Sequence, residues 1–507
     1  MLFNSFKFIF LFLPLALLAY WSLRRMDRTA LANLALLAFS LVFYFESEKN
    51  YTLLILFSIA FNYGAGRLIS GSASGGKYAL WAGIIVDLST LAYFKYSNFL
   101  LENLRHVFPS LPSLGHVELP VGISFFTFTQ IAYLVDCQSR KARDYDLANY
   151  GLFVTFFPHL VAGPILHHSE MMPQFQRRSM GSIGAHLAAG LGMFAIGLFK
   201  KTVLADSVAP VATELFSSVM RGENPSLLPA WVAALAYTAQ IYFDFSGYSD
   251  MALGLARMFG VELPVNFNSP YKAISIADFW RRWHITLSRF LRDYLYIPLG
   301  GNRRGNARRY ANLITTMVLG GLWHGASWNF VLWGSLHGLF LAVEQFLPSV
   351  LARLHIPLRL PAMLKRTIML SLVIMAWVPF RAADLAATLR LWKGMLGANG
   401  VLLPVEWPLM PLLARKLGLQ TGYIDIHPLM ILTVLGMLGV ALWCPNSQQL
   451  MRRFGIGLDS PGYAALPKAP GRWEFSLSAR SAILLGLILG IALVYVGGYS
   501  EFIYFQF

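Results

Sequence analysis

Apolar runs follow one another along nearly the whole chain, and polar residues fall mostly into the short gaps between them. Runs at 8–23, 31–45, 51–66, 78–93 (interrupted by Asp87), 190–199, 230–243, 368–378, 428–443 and 482–497 carry at most one charge each. A bilayer core needs about 20 apolar residues per helix, fewer where the ends snorkel, and the pattern predicts roughly 11 to 13 spanning or re-entrant helices. The expected class is therefore all-α, a polytopic integral membrane helical bundle, organised as one domain over 1–507. Within it, simple N-terminal spans occupy 1–149, a polar-studded core 150–345, and plain C-terminal spans 346–507. A Gly/Ser-rich loop at 70–76, a Pro-punctuated loop at 109–120 and longer connections at 381–425 and 445–480 separate the runs. No 20–50-residue repeat and no inverted pair of broken helices is visible.

Composition agrees: 56% of the 507 residues are hydrophobic and 13% charged, about half the charged share of a soluble domain. The N-terminal stretch to Leu23 has one Lys ahead of its apolar centre and no small-residue cleavage site, which reads as a retained first span. Cys137 and Cys444 are too few for a disulfide framework or a zinc site. The net charge of +16 fits positive-inside loops better than nucleic-acid binding. Arg24, Arg25 and Arg28, then Arg67 and Lys77, then Arg140, Lys141 and Arg143 mark one side. Glu46, Glu48 and Lys49, then Glu102, Arg105 and Glu118 mark the other. The alternation places the N-terminus outside the cytoplasm, and Arg303, Arg304, Arg308 and Arg309 inside it.

Ionisable groups within a bilayer cost several kcal/mol each by insertion scales, so their positions point to function. The run GGLWHGASW at 320–328 sets His324 among small residues, in a stretch without Asp, Glu, Lys or Arg from Tyr310 to Val343. A buried neutral imidazole suits general-base work; the alternative is a histidine that packs helices. His337 lies 13 residues on, about 220° around an unbroken helix, and is expected to face away as a packing or supporting group. The segment DFWRRWHITLSRFLRD at 278–293 reads as a continuous amphipathic helix. On it Trp280, His284, Ser288 and Leu291 share one face and Arg282 and Arg289 another. It suits either a membrane-surface anchor or a site for an anionic cytoplasmic ligand. In QIYFDFSGYSD at 240–250, Asp244 and Asp250 need partners, for which Arg257 or the arginines of 278–293 are the candidates. In FFPHLVAGPI at 156–165, paired prolines and a glycine predict a broken helix with His159 on freed carbonyls or lining a cavity. No H-E-x-x-H, C-x-x-C, Walker A, G-x-S-x-G or dinucleotide fingerprint occurs, so no metal and no bound cofactor is expected.

These motifs, together with LRDYLYIPLGGN at 291–302 and supporting stretches LPVGISF at 119–125 and EFIYFQF at 501–507, resemble the membrane-bound O-acyltransferase family. The likeness is closest to its bacterial alginate O-acetylation branch. The resemblance implies a helical bundle with a central tunnel. It also implies His324 at the position of the catalytic histidine and His284 at that of a second functional histidine. By the same likeness the enzyme sits in the bacterial inner membrane. It takes acetyl from a cytosolic donor, acetyl-CoA, and passes it across for O-acetylation of an extracytoplasmic polysaccharide such as alginate. Periplasmic acetyltransferase proteins complete the transfer, with lipid bilayer and no nucleic acid as further partners. Arg281, Arg282, Arg289 and Arg292, with Trp280 and Trp323, are the expected donor contacts. Two alternatives stay open: D-alanyl transfer to a cell-wall polymer, and a polysaccharide or acyl transporter.

Overall fold

The structure is a computed structural model, and it describes residues 1–71, 76–111, 115, 117–140, 146–177, 181–356, 360–458, 473–498 and 503. Lys141, Arg143, most of the 70–76 loop, parts of the 109–120 and 445–480 connections, and the terminal 501–507 motif apart from Ile503 lie outside these residues. The chain forms an all-helical polytopic bundle; among the described residues its one sheet is the short parallel pairing of Leu402–Pro404 with Gln420–Gly422. Among the described residues six helices are long and apolar enough to cross a membrane: Phe8–Arg25, Thr29–Ser47, Thr52–Gly71, Ile183–Met220, Trp328–Arg353 and Ala362–Arg381. Pro428–Trp443 and Ala479–Val494 are shorter apolar helices. Gly76–Val107, Leu227–Met258 and Gly305–His324 have the length but carry more polar residues.

Contacts gather the chain into two compact units, each assembled from three separated stretches. The first comprises Met1–Phe199, Gly247–Asn266 and Ser447–Gly498. Its helices close on small residues: a Cβ added at Gly190 would stand 2.5 Å from the Gly254 carbonyl oxygen, and one at Gly254 2.6 Å from that of Gly190. Lipid supplies no hydrophobic drive between helices, so such backbone approach is a main source of their cohesion. The Pro-rich stretch breaks the helix here. Leu147–Thr155 ends at Phe156, Phe157–Leu160 forms one turn, and helix resumes only at His168–Phe175. His159 donates from Nε2 to the Phe153 carbonyl at 2.8 Å, one of the groups the break frees.

The second unit comprises Lys200–Ser246, Phe267–Asn446 and Tyr499–Phe507. Its centre is the antiparallel hairpin of Gly305–His324 and Trp328–Arg353. The two backbones touch: a Cβ at Gly321 would lie 2.2 Å from the Phe330 carbonyl oxygen, and one at Gly334 2.4 Å from that of Met317. At Gly338 it would lie 2.8 Å from Ile314 Cα. Ala362–Arg381 completes this part, and Asn329 ties the hairpin to the chain beyond it through Nδ2 to the Ala382 carbonyl, 2.7 Å.

Two helical expectations fail. Residues 324–337 are not one helix: His324 ends the first arm, and 325–327 turn the chain before Trp328 starts the second. The 220° argument about His337 therefore has no helix to run on. Residues 278–293 also break, into Ile276–Trp280, Ile285–Leu291 and a π-helical turn at Arg292–Tyr296. The break has a local cause, because His284 sits in the left-handed region at φ 42°, ψ 54°, where no α-helix of L-residues continues.

Gly334→Ala should destabilise the detergent-solubilised protein by about 1–3 kcal/mol, since backbone and not a mobile side chain must yield. Gly436→Ala, where nothing lies within 4 Å, should leave the melting temperature unchanged. Equal melting of the two variants would mean that the hairpin does not depend on this contact.

Candidate active site

His324 stands at the apex of the hairpin, about 28 Å along the helix axis from Gly305 at 1.5 Å per residue. It is buried, 5% exposed. The sequence folds this way locally because a Cβ at Gly325 would lie 2.0 Å from the Phe330 ring, so only glycine lets the chain turn so tightly beside the histidine. Around the imidazole stand Trp323 (ring centroids 4.9 Å apart), Trp333 (5.2 Å) and Phe380 (5.2 Å).

His284 reaches the same place from the other side. Its ring centroid lies 6.4 Å from that of His324, 6.2 Å from Trp323 and 4.8 Å from Phe245. It is fully buried. A bulky non-glycine residue held at positive φ costs on the order of 1–3 kcal/mol and persists only where its surroundings fix it; such residues cluster at functional sites. The surroundings here are Phe267, Trp283 and Phe279, packed edge to face or stacked, and an Asn268 amide that donates to the Arg282 carbonyl at 2.9 Å. Two imidazoles from separate elements thus converge in a water-poor aromatic setting, where one can move a proton and the other can bond a developing charge.

His337 is also fully buried, and Trp333 stands between it and His324, 4.9 Å from the His337 ring. Trp280 Nε1–H, which can only donate, points to His337 Nδ1 at 3.3 Å. The neutral ring then carries its proton on Nε2, which has no hydrogen-bond partner among the described residues. His337 thereby holds Trp280, four residues before His284.

The four arginines do not form one cluster of like environment. Arg281 is exposed. Arg282 Nε pairs with Asp278 at 2.8 Å and Arg292 Nε with Asp293 at 2.7 Å. Arg289 is buried, 4% exposed. Asp244 and Asp250 find partners elsewhere. Asp244 pairs with Lys201, 2.7 Å, which also binds Asp206 at 2.6 Å, and Asp244 accepts the Ile503 amide at 3.1 Å. Asp250 accepts from Ser447 Oγ at 2.5 Å and Gln448 Nε2 at 2.8 Å, while Arg257 pairs with Glu262. The reason lies in position: Lys201 belongs to a π-helical turn, Lys200–Ala205, that sets its ammonium between two carboxylates. The signal was present in the sequence as two lysines directly after the apolar run 190–199. Lys200 itself lies over the Tyr242 ring, 5.6 Å from its centroid. Among the described residues no three His, Cys, Asp or Glu side chains gather as a metal site.

Comparison with known proteins gives this geometry its class. The model of the membrane-bound O-acyltransferase family matches residues 77–382, which include both histidines, and the chain belongs to that family. It is 37% identical over 543 residues to the probable alginate O-acetylase of Pseudomonas aeruginosa, covering 100% of both chains. To the peptidoglycan O-acetyltransferase of Helicobacter pylori it is 43% identical over 430 residues, 79% of this chain and 81% of that one. A teichoic acid D-alanyltransferase of Streptococcus thermophilus is 26% identical over 44% of this chain and 56% of its own. Within the family the chain falls in the alginate O-acetylase branch, and it is a multi-pass membrane O-acetyltransferase.

Lys201→Met should destabilise the protein by about 3–5 kcal/mol, because it strands two buried carboxylates. Lys201→Met combined with Asp206→Asn and Asp244→Asn should recover much of that loss in a thermal-unfolding assay. No recovery would show that Lys201 acts otherwise than by pairing these two groups.

Proposed function

We propose that this enzyme takes acetyl from a cytosolic thioester, acetyl-CoA, and passes it through the inner membrane for O-acetylation of an extracytoplasmic polysaccharide of the alginate type. The observation that carries the reading is the convergence of His324 and His284, buried and 6.4 Å apart between ring centroids. In the proposed reaction a hydroxyl oxygen attacks the thioester carbonyl as the His324 imidazole accepts its proton. His284 donates a hydrogen bond to the oxyanion that forms. Collapse breaks the C–S bond, and the proton on His324 passes to the departing thiolate, so atoms and charges balance without ATP. Trp323 and Trp280 would flank the donor arm, with Arg289 and Arg292 drawing its phosphates. The aromatic enclosure would exclude water and suppress hydrolysis of the thioester.

The polymer assignment rests on the full-length likeness to the alginate O-acetylases, whereas the peptidoglycan relative is matched over about four fifths of its length. Periplasmic acetyltransferase proteins would receive the acetyl and finish the transfer. The alternation of loop charges supports a periplasmic N-terminus.

Base-labile acetyl on the host's extracellular polysaccharide should return when a deletion strain carries the wild-type protein. With His324→Ala at matched membrane levels it should fall by about 10²–10⁴ in rate, and with His284→Ala by about 10²–10³. Equal restoration by wild type and His324→Ala would remove His324 from the chemistry. Restoration of a D-alanyl ester in place of acetyl would replace the donor.

A further inference from the structure

Away from the two histidines, a cavity of about 1170 Å³ lies along Trp328–Arg353 and Ala362–Arg381. Along the two helices its wall is aliphatic, with Leu339, Val343, Leu347, Ile356 and Ile368 between 43% and 51% exposed. Both helices are long and apolar enough to cross a bilayer, so lipid is the medium in which this wall would stand.

One part of the cavity is charged. Arg281, Arg282, Lys365, Asp278 and Glu344 line it. The two carboxylates are already engaged: Asp278 by Arg282, and Glu344 by the Ile276 amide at 2.6 Å and the Ala277 amide at 3.3 Å. Two more cations stand nearby. Lys272 donates to the Cys444 carbonyl at 2.6 Å. Burial first, and then the neighbouring Arg366 and Arg282 guanidiniums, push its ammonium below the usual lysine range against an opposing effect of Cys444. Three cations of the lining (Arg281, Arg282, Lys365) thus meet two engaged carboxylates, an excess of one, with Lys272 and Arg366 close by. Neither Arg281 nor Lys365 has an ion-pair partner among the described residues.

We propose that this cavity is a binding site for an anionic phospholipid, whose headgroup phosphate rests among Arg281, Arg282 and Lys365 while an acyl tail fills the aliphatic slot. The shape of the charge selects the occupant. A soluble coenzyme would bring amides and hydroxyls into a wall that offers them no hydrogen bonds, at a desolvation cost; an acyl tail needs none. A zwitterionic lipid would fill the slot but leave the excess of positive charge unanswered. The site bears on the reaction centre, because Ile276–Trp280, capped by Glu344 and pinned by Asp278–Arg282, leads directly into the turn that holds His284.

The test uses the purified full-length protein and native mass spectrometry, with phosphatidylglycerol and phosphatidylcholine of identical tails at equal mole fraction. Wild type should retain phosphatidylglycerol in preference. Arg281→Gln and Lys365→Gln should each weaken that retention about five-fold, the effect of one basic residue on an anionic lipid. Val343→Trp, which fills the slot, should reduce retention of both lipids. Lys365 is exposed, so its variant should melt with wild type and keep the test open if the others misfold. Equal retention of the two lipids by wild type, or retention unchanged in Lys365→Gln, overturns the proposal. So does displacement of phosphatidylglycerol by free coenzyme A that Val343→Trp leaves intact, since the charges would then serve a soluble ligand. None of these readouts requires acetyl transfer, so the proposed reaction and this site stand or fall separately.

Discussion

Everything near the reacting centre depends on two helix backbones touching. Gly321 against Phe330, Gly334 against Met317 and Gly338 against Ile314 leave no room for a single carbon atom. In a bilayer, where apolar side chains gain nothing by leaving lipid for one another, close backbone approach with its dispersion contacts is among the few forces that align two helices in register. That register puts Trp333 and Phe380 side by side against His324 and sets His337 one aromatic ring further along. An imidazole at a helix end has one side free of its own helix, and here that side faces His284.

The second histidine is held by the opposite device. His324 ends a regular helix; His284 interrupts what would otherwise be one, in a backbone conformation that costs energy. The cost is offset by dense packing of Phe245, Phe267, Phe279 and Trp283, and by Trp280 anchored on His337. A site assembled from one relaxed and one strained element can bring two rings together at an angle that two helical faces would not give. His337 therefore matters through what it positions, and its tautomer, fixed by the Trp280 indole N–H, leaves Nδ1 occupied.

Much of this was legible in the residues. The apolar runs announced an all-helical membrane protein, and the small residues flanking His324 in a charge-free stretch pointed to close backbone approach there. The prolines and glycine of 156–165 announced a broken helix. What escaped was conformation at single residues. Periodicity assumes a continuous helix, and nothing in the string of 278–293 signals that His284 takes a positive φ, because histidine is permitted in helices and only tertiary packing forces it out. The 324–337 argument failed for the same reason, although Gly325 and Ser327 gave a readable hint of a turn. Lys201 was not among the candidate partners of Asp244 because arginines near a motif attract attention, whereas Lys201 is 43 residues away in sequence and 2.7 Å away in space.

The arginines show how far sequence chemistry goes before geometry must take over. As a set, Arg281, Arg282, Arg289 and Arg292 look like one phosphate-binding row. Folded, they divide: Arg292 is joined to its neighbour Asp293, Arg289 is buried, and Arg281 and Arg282 turn to an aliphatic slot with Lys365. A guanidinium already matched by a carboxylate has less to offer a second anion than one without an ion pair. The pair that opens on the slot includes Arg281, which has no ion-pair partner among the described residues, so the proposed demand for an external anion lies on that wall. On the proposed reading, donor capture near the histidines would fall to Arg289 and Arg292, with the aromatic rings supplying shape, and the outer arginines would answer the membrane.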